Sequence, residues 1–159
     1  MAKRLLSFTP YPDFDLAIIF VGNKEIQKRN FEDRGIDKPT DILSYPFNKI
    51  TIPGKITDPL DLQAKNLGEI VISLPYITQY CEENHIDLGV YLPTLVIHGI
   101  CHLQGYDHEN EKDDLQMRKE ECRMQRLWEE SLTGPFDPYK MGIRKKIQKK
   151  FDFMHLLEL

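Results

Sequence analysis

The segment HGICHLQGYDH, residues 98–108, constrains the fold more than any other part of the chain. It carries three of the five histidines, and Gly105 separates the third from the first two. Side chains four residues apart lie on one face of an α-helix, so His98 and His102 can present ring nitrogens to one point. Gly105 allows the chain to leave the helix in a turn, after which His108 can fold back. The segment therefore predicts a helix that ends at a cluster of three imidazoles.

Three imidazoles with an open fourth position are typical of a catalytic zinc site, whereas structural zinc sites usually have four ligands and favour cysteine. We therefore predict one zinc ion, or another divalent transition metal, bound by His98, His102 and His108. Cys101 lies between the first two histidines but off their helical stripe, and we assign it to the core.

The spacing of the histidines also matches HExxHxxGxxH, the pattern of the metzincin metalloproteases. The second position of that pattern is Gly99 here. In those proteases the glutamate takes a proton from the zinc-bound water, so its replacement removes the general base of peptide hydrolysis. A metallopeptidase-like hydrolase is therefore the weaker alternative.

The charge balance argues against a protein that binds polyanions through its overall charge. The chain of 159 residues has 21 basic and 25 acidic side chains, a formal net charge of −4, so any contact with nucleic acid must come from a local patch. Its three cysteines form no CxxC pair, which favours a reducing compartment. No apolar run has the length of a signal peptide or the roughly 20 residues that span a bilayer. We expect a cytoplasmic protein.

Hydrophobic patterning predicts a single α+β domain, with a small mixed β-sheet and helices packed mainly on one side. Residues 48–66 carry Pro53, Gly54 and Pro59 with little periodicity and predict a long loop. The predicted strands are LAIIFV (16–21), DILSYPF (41–47) and LGEIVIS (67–73). The predicted helices are a polar one ending at Gly35, two that begin near Leu74 and Tyr91, and a long one after His108.

The histidine segment resembles the HGxxHLxGYDH signature of the YbeY-type endoribonucleases, which act in ribosomal RNA maturation and small-subunit quality control. Other segments agree in order: NFEDRGIDKPTDILSYPF is similar to the family's arginine-containing segment and TDVLSFPF strand, LGEIVIS to its LGDIVIS strand, and GPFDPY to its closing segment. The resemblance covers residues 16–139. It implies an endoribonuclease domain at 1–139, followed by a basic extension at 140–159.

The resemblance implies a single-strand-specific, metal-dependent endoribonuclease whose partners are ribosomal RNA and small-subunit components, with neither DNA nor a membrane. It also implies that the three histidines hold the metal and that Arg34 is the catalytic basic residue facing the cleft. A guanidinium can bind two phosphoryl oxygens in a fork while charge develops during cleavage. The chain departs from the family in a shorter N-terminal part and in Asp33, which stands where an aromatic residue is common before the arginine. Asp107 suits either the orientation of a ligand imidazole or a capping role.

Two questions stay open at this point. A non-catalytic ribosome-assembly factor, in which zinc stabilises the end of the helix, is the alternative to the nuclease. In the extension, six basic residues fall between 140 and 150 without an acid, while Ile143, Ile147 and Phe151 recur four apart. This pattern suits a helix that binds RNA phosphates, one that lies on an anionic membrane, or one that packs on the domain.

Overall fold

The computed structural model describes residues 1–133. The predicted boundary at residue 139 and the basic extension at 140–159 lie outside the described residues. The described elements, in chain order, are α1 (Ala2–Leu6), β1 (Asp15–Val21), α2 (Asn23–Arg34), β2 (Ile42–Pro46), α3 (Pro59–Ala64), β3 (Asn66–Ser73), α4 (Leu74–Glu83), α5 (Leu88–Leu103) and α6 (Glu111–Thr133).

The three described strands form one mixed sheet in the order β1-β3-β2. β1 runs parallel to β3, and β2 runs antiparallel to it. The apolar run of β3 explains its central place, because Ile70, Val71 and Ile72 are completely buried and successive side chains point to opposite faces. β2 is therefore an edge strand, covered by helices on both faces.

Two apolar clusters of unequal size lie on the two faces of the sheet. The larger cluster takes side chains from α1, α4, α5 and α6, together with Ile70 and Ile72 of β3. The smaller one joins Ile26 of α2 to Leu43 and Val71. Most helices therefore pack on one face and α2 packs on the other, which confirms the predicted single α+β domain with a small mixed sheet.

The structure corrects the predicted loop at residues 48–66 and shows a helix among the N-terminal residues, for which no element was predicted. Residues 48–66 are not all loop, because α3 begins after Asp58, whose carboxylate accepts a hydrogen bond from the Leu60 backbone N–H at 2.7 Å. Such a cap starts a short helix without any hydrophobic period. The N-terminal residues form helix α1, with Leu5 and Leu6 buried. No helix within residues 1–133 is both long and apolar enough to cross a membrane.

Candidate metal centre

Gly99 brings α5 close to the sheet. A Cβ atom at this position would lie 2.8 Å from Cδ1 of Ile70 and 3.0 Å from Cδ1 of Ile42, so any larger residue would force those side chains to shift. Position 99 therefore faces the core. A glutamate there, as the metalloprotease pattern requires, would have to be accommodated between helix and sheet. The close approach also fixes the flank of α5 from which His98 and His102 project.

A left-handed turn ends α5 and carries the chain towards His108. Gly105 has φ of +80°, a conformation that side chains with a Cβ rarely adopt. The Tyr106 backbone N–H donates to the Cys101 carbonyl at 3.1 Å and closes the turn. A Cβ at position 105 would lie 2.7 Å from Cγ2 of Ile50, so the loop after β2 packs directly on this turn.

The three histidines predicted as ligands lie together. One ring nitrogen from each falls within 4.8 Å of the others, so that His98, His102 and His108 could hold a metal ion. Nε2 of His98 is 3.1 Å from Nε2 of His102. Two nitrogens bound to one tetrahedral zinc at 2.0–2.1 Å would be about 3.3–3.4 Å apart, so the pair needs almost no rearrangement to share an ion.

The hydrogen bonds of Nδ1 in His98 and His102 determine which ring nitrogen of each histidine is available to a metal. Nδ1 of His98 is 2.8 Å from Oε1 of Glu121, and Nδ1 of His102 is 3.2 Å from the Tyr106 carbonyl oxygen. Both partners are acceptors, so each ring donates from Nδ1, and its Nε2 lies towards the other ring. When both Nε2 atoms are deprotonated, two nitrogens at this distance fit a shared cation. Burial first, then the neighbouring His98 and His108, lowers the pKa of His102 to about 4, which keeps that ring neutral.

Glu121 is the residue that sequence reasoning missed. It lies on α6, is only 7% exposed, and contacts a candidate ligand from 23 positions away. The available signal was its place on the buried stripe of α6, one turn after Met117 and just before Met124, where a carboxylate needs a partner. Asp107, by contrast, accepts a hydrogen bond from the His108 backbone N–H at 2.8 Å and stabilises the turn.

Cys101 is a core residue, as predicted. Its side chain is fully buried within the larger apolar cluster. Burial, followed by the charges of Glu121 and Glu120, raises the pKa of this thiol well above its usual value. The sulfur therefore stays protonated and apolar rather than serving as a thiolate ligand.

Arg34 is the last residue of α2, immediately before the left-handed Gly35. It is exposed, and within residues 1–133 its guanidinium forms no ion pair. α2 and α5 pack on opposite faces of the sheet, with the edge strand β2 between them. The structure thus places Arg34 across this edge from the histidines rather than in contact with them.

Asp33, the departure from the family pattern, is bound to a neighbour. The Tyr45 hydroxyl donates a hydrogen bond to Oδ2 of Asp33 at 2.5 Å. Burial, then this hydrogen bond and the charge of Asp33, raises the pKa of Tyr45 to about 12. The carboxylate of Asp33 is therefore held on β2 by Tyr45, and the adjacent Arg34 guanidinium forms no ion pair with it.

A recess of about 210 Å³ lies beside the turn that carries His108. It opens between the loop after β2, the turn itself and the first turns of α6, and none of the three histidines lines it. The residues that line it are Thr51, Pro53, Gly105, Tyr106, Asp107, Asp113 and Gln116.

Comparison with known proteins identifies relatives over most of the chain. The model of the family described as Endoribonuclease YbeY matches residues 2–128. Proteins named Endoribonuclease YbeY include one from Sulfurihydrogenibium that is 34% identical over 114 residues, covering 72% of this chain and 69% of the relative. One from Homo sapiens is 40% identical over 110 residues (68% and 64%), and one from Colwellia psychrerythraea is 35% identical over 131 residues (82% and 77%). The solution structure of TM1509 from Thermotoga maritima aligns with a TM-score of 0.54 at 27% identity, covering 86% of this chain and 85% of that one.

Proposed function

The chain belongs to the endoribonuclease YbeY family and is thus an RNA-cleaving hydrolase, and we propose that it cuts single-stranded segments of ribosomal RNA with the help of one divalent metal ion. The observation that carries the proposal is the cluster of His98, His102 and His108, whose ring nitrogens lie within 4.8 Å of one another. Zinc is our assignment for the metal, since three imidazoles suit it. Maturation of small-subunit RNA, quality control of ribosomes and a cytoplasmic location complete the proposal.

The chain's own residues prepare the site. When bound, the metal would polarise a phosphoryl oxygen or activate the attacking oxygen. Glu121 and the Tyr106 carbonyl orient the rings of His98 and His102, so that both Nε2 atoms point to one place. Because these partners are fixed in the fold, the rings of His98 and His102 need little reorganisation when the ion binds.

Arg34 is proposed as the catalytic residue that contacts the phosphate. Its guanidinium is exposed and without an ion pair in the described part of the chain, so it can bind two phosphoryl oxygens as negative charge develops. An RNA strand that passes over the edge formed by β2 would meet Arg34 on one side and the histidines on the other. This arrangement suits an unpaired strand, which can bend around the edge.

Elemental analysis and RNA cleavage, measured on the same preparations, test the proposal. Tag-free protein should contain close to one equivalent of metal, and His102→Ala should lose both the metal and cleavage of a ribosomal RNA fragment. Arg34→Ala should keep the metal and lose about 10²–10³-fold in cleavage rate. Arg29→Ala is the matched control, because Arg29 lies on the same helix but is bound to Glu25 at 2.8 Å; it should cleave like the wild type.

Two other results would redirect the assignment. Metal without cleavage above that of a mock purification would favour a ribosome-assembly factor whose metal only stabilises the turn after α5. Turnover of peptides that a chelator abolishes would favour the metallopeptidase, although position 99 faces the sheet and offers no carboxylate there.

A further inference from the structure

Phe47 is an exposed aromatic ring on a fixed backbone. Its side chain is 54% exposed, yet its N–H donates to the Leu67 carbonyl at 3.1 Å. The next residue, Asn48, is buried, and its side-chain amide N–H donates to the Asn66 backbone carbonyl at 2.8 Å. At Gly68 a Cβ would collide with the Tyr45 carbonyl oxygen, which shows how closely this segment crosses β3. The backbone that carries this exposed ring is therefore anchored on the sheet.

The position of Phe47 lies between the two parts of the proposed site. Two residues earlier, Tyr45 binds Asp33, the neighbour of Arg34. Three residues later, Ile50 packs on Gly105 in the histidine turn. The five residue steps from 45 to 50 span at most about 17 Å, so this stretch is a short bridge from the neighbourhood of the arginine to that of the histidines. A strand that contacts both and follows this bridge passes close to Phe47.

The segment that carries Phe47 has two basic side chains and no acidic one, although the chain as a whole is acidic. Residues 42–57 contain Lys49 and Lys55 and no acidic residue. Both lysines are exposed, and neither forms an ion pair in the part of the chain that the structure describes. The Gly54 N–H donates to the Gln104 carbonyl at 2.8 Å, which anchors the loop that carries them next to the histidine turn.

From these observations we infer that Phe47 is a stacking platform for a base of the single-stranded RNA substrate and that Lys49 and Lys55 contact its phosphates. Aromatic rings beside basic side chains bind unpaired nucleotides, because every base has a face that can stack. Protein–protein interfaces are depleted in lysine, so two solvated lysines in the same segment as the ring favour nucleic acid over a protein partner. This inference rests on the proposed function and names the feature of the substrate, an unstacked base, that this surface selects.

Binding of a fluorescein-labelled single-stranded oligouridylate, measured by anisotropy, tests the inference directly. Phe47→Ala should weaken binding roughly 5- to 150-fold, while Phe47→Trp should restore it. In cleavage assays Phe47→Ala should raise KM and leave kcat nearly unchanged. Phe20→Ala is the matched control, since Phe20 is 48% exposed but lies on β1, the opposite edge of the sheet; its binding should equal that of the wild type.

Salt dependence tests the two lysines separately from the ring. Replacing both Lys49 and Lys55 by glutamine should reduce the slope of log affinity against log salt by about 1.4, which is about 0.7 for each phosphate that a lysine no longer neutralises. Thermal unfolding of every variant shows that a loss of binding is not a loss of folding. An unchanged slope would overturn the part of the inference that concerns the phosphates.

The outcomes separate this inference from the proposed function. If wild-type protein cleaves RNA but Phe47→Ala binds the oligouridylate as tightly as the wild type, the stacking platform is wrong and the nuclease stands. The same holds if Phe47→Ala loses only association with small-subunit proteins, since the surface would then bind protein. If the wild type neither binds nor cleaves any RNA, both are overturned. Loss of binding in Phe47→Ala but not in Phe20→Ala supports the inference.

Discussion

Glu121 offers the sharpest test of how the fold prepares the metal centre. Its carboxylate lies 2.8 Å from Nδ1 of His98, and its side chain is only 9% exposed. This hydrogen bond fixes the ring's orientation and leaves Nε2 facing His102. Replacement of Glu121 therefore changes metal affinity without removing a ligand.

The expected magnitude follows from the geometry of the replacement. Loss of a hydrogen-bonding partner behind a metal-binding histidine typically costs 10- to 100-fold in affinity, about 1.4–2.7 kcal/mol. Glu121→Gln keeps a carbonyl oxygen that can accept from Nδ1–H, so we expect about 10-fold. Glu121→Ala removes the acceptor and leaves the ring unsupported at a largely buried position, so we expect about 100-fold.

Competition between the protein and a chromophoric zinc chelator measures these affinities. Glu120→Gln is the matched control, because Glu120 is the adjacent residue on α6 but hydrogen-bonds Arg123 at 2.6 Å. It should bind zinc like the wild type. If folded Glu121→Ala binds zinc as tightly as the wild type, or if Glu120→Gln is weakened equally, the orienting role of Glu121 is refuted.

Three further predictions concern packing, ionisation and metal removal. In a urea titration, Gly99→Ala should lower the free energy of unfolding by up to about 2 kcal/mol. Overpacking against Ile70 costs about 1–3 kcal/mol, and alanine recovers roughly 1 kcal/mol of helix propensity. The control Gly22→Ser should not be destabilised, because a Cβ at position 22 meets nothing within 4 Å. Asp33→Asn should lower the pKa of Tyr45 from about 12 towards its usual 10, because the neutral phenol loses its charged acceptor. The stability linked to this raised pKa is fully present below pH 10 and is lost as the pH rises towards 12. Ultraviolet titration of tyrosine ionisation in the wild type and the variant should therefore differ between pH 10 and 12. Identical titration curves would contradict the hydrogen bond. Removal of metal by a chelator should lower the unfolding temperature by about 5–10 °C relative to protein in metal at about 100 times its Kd, and reloading should restore it; equal unfolding temperatures would argue against a bound ion.

Local patterns predicted most of the elements. The apolar run LGEIVIS became the central strand β3, and Gly35 ends α2 in the left-handed conformation. α3 escaped prediction because a helix of six residues is too short to show a hydrophobic period, and its signal was the cap provided by Asp58. The α+β class follows from the order of such segments, each of which buries one apolar face.

The sequence by itself determined which three imidazoles come together. Their spacing on one helix face, followed by a glycine turn, places them by local geometry, within eleven residues. Only the tertiary structure decided that Glu121 orients His98 and that Arg34 lies across the edge formed by β2. These relations join residues far apart in the chain, and they depend on how α2, α5 and α6 pack on the sheet. No local spacing encodes that packing, because it is set by the complementary burial of many side chains at once.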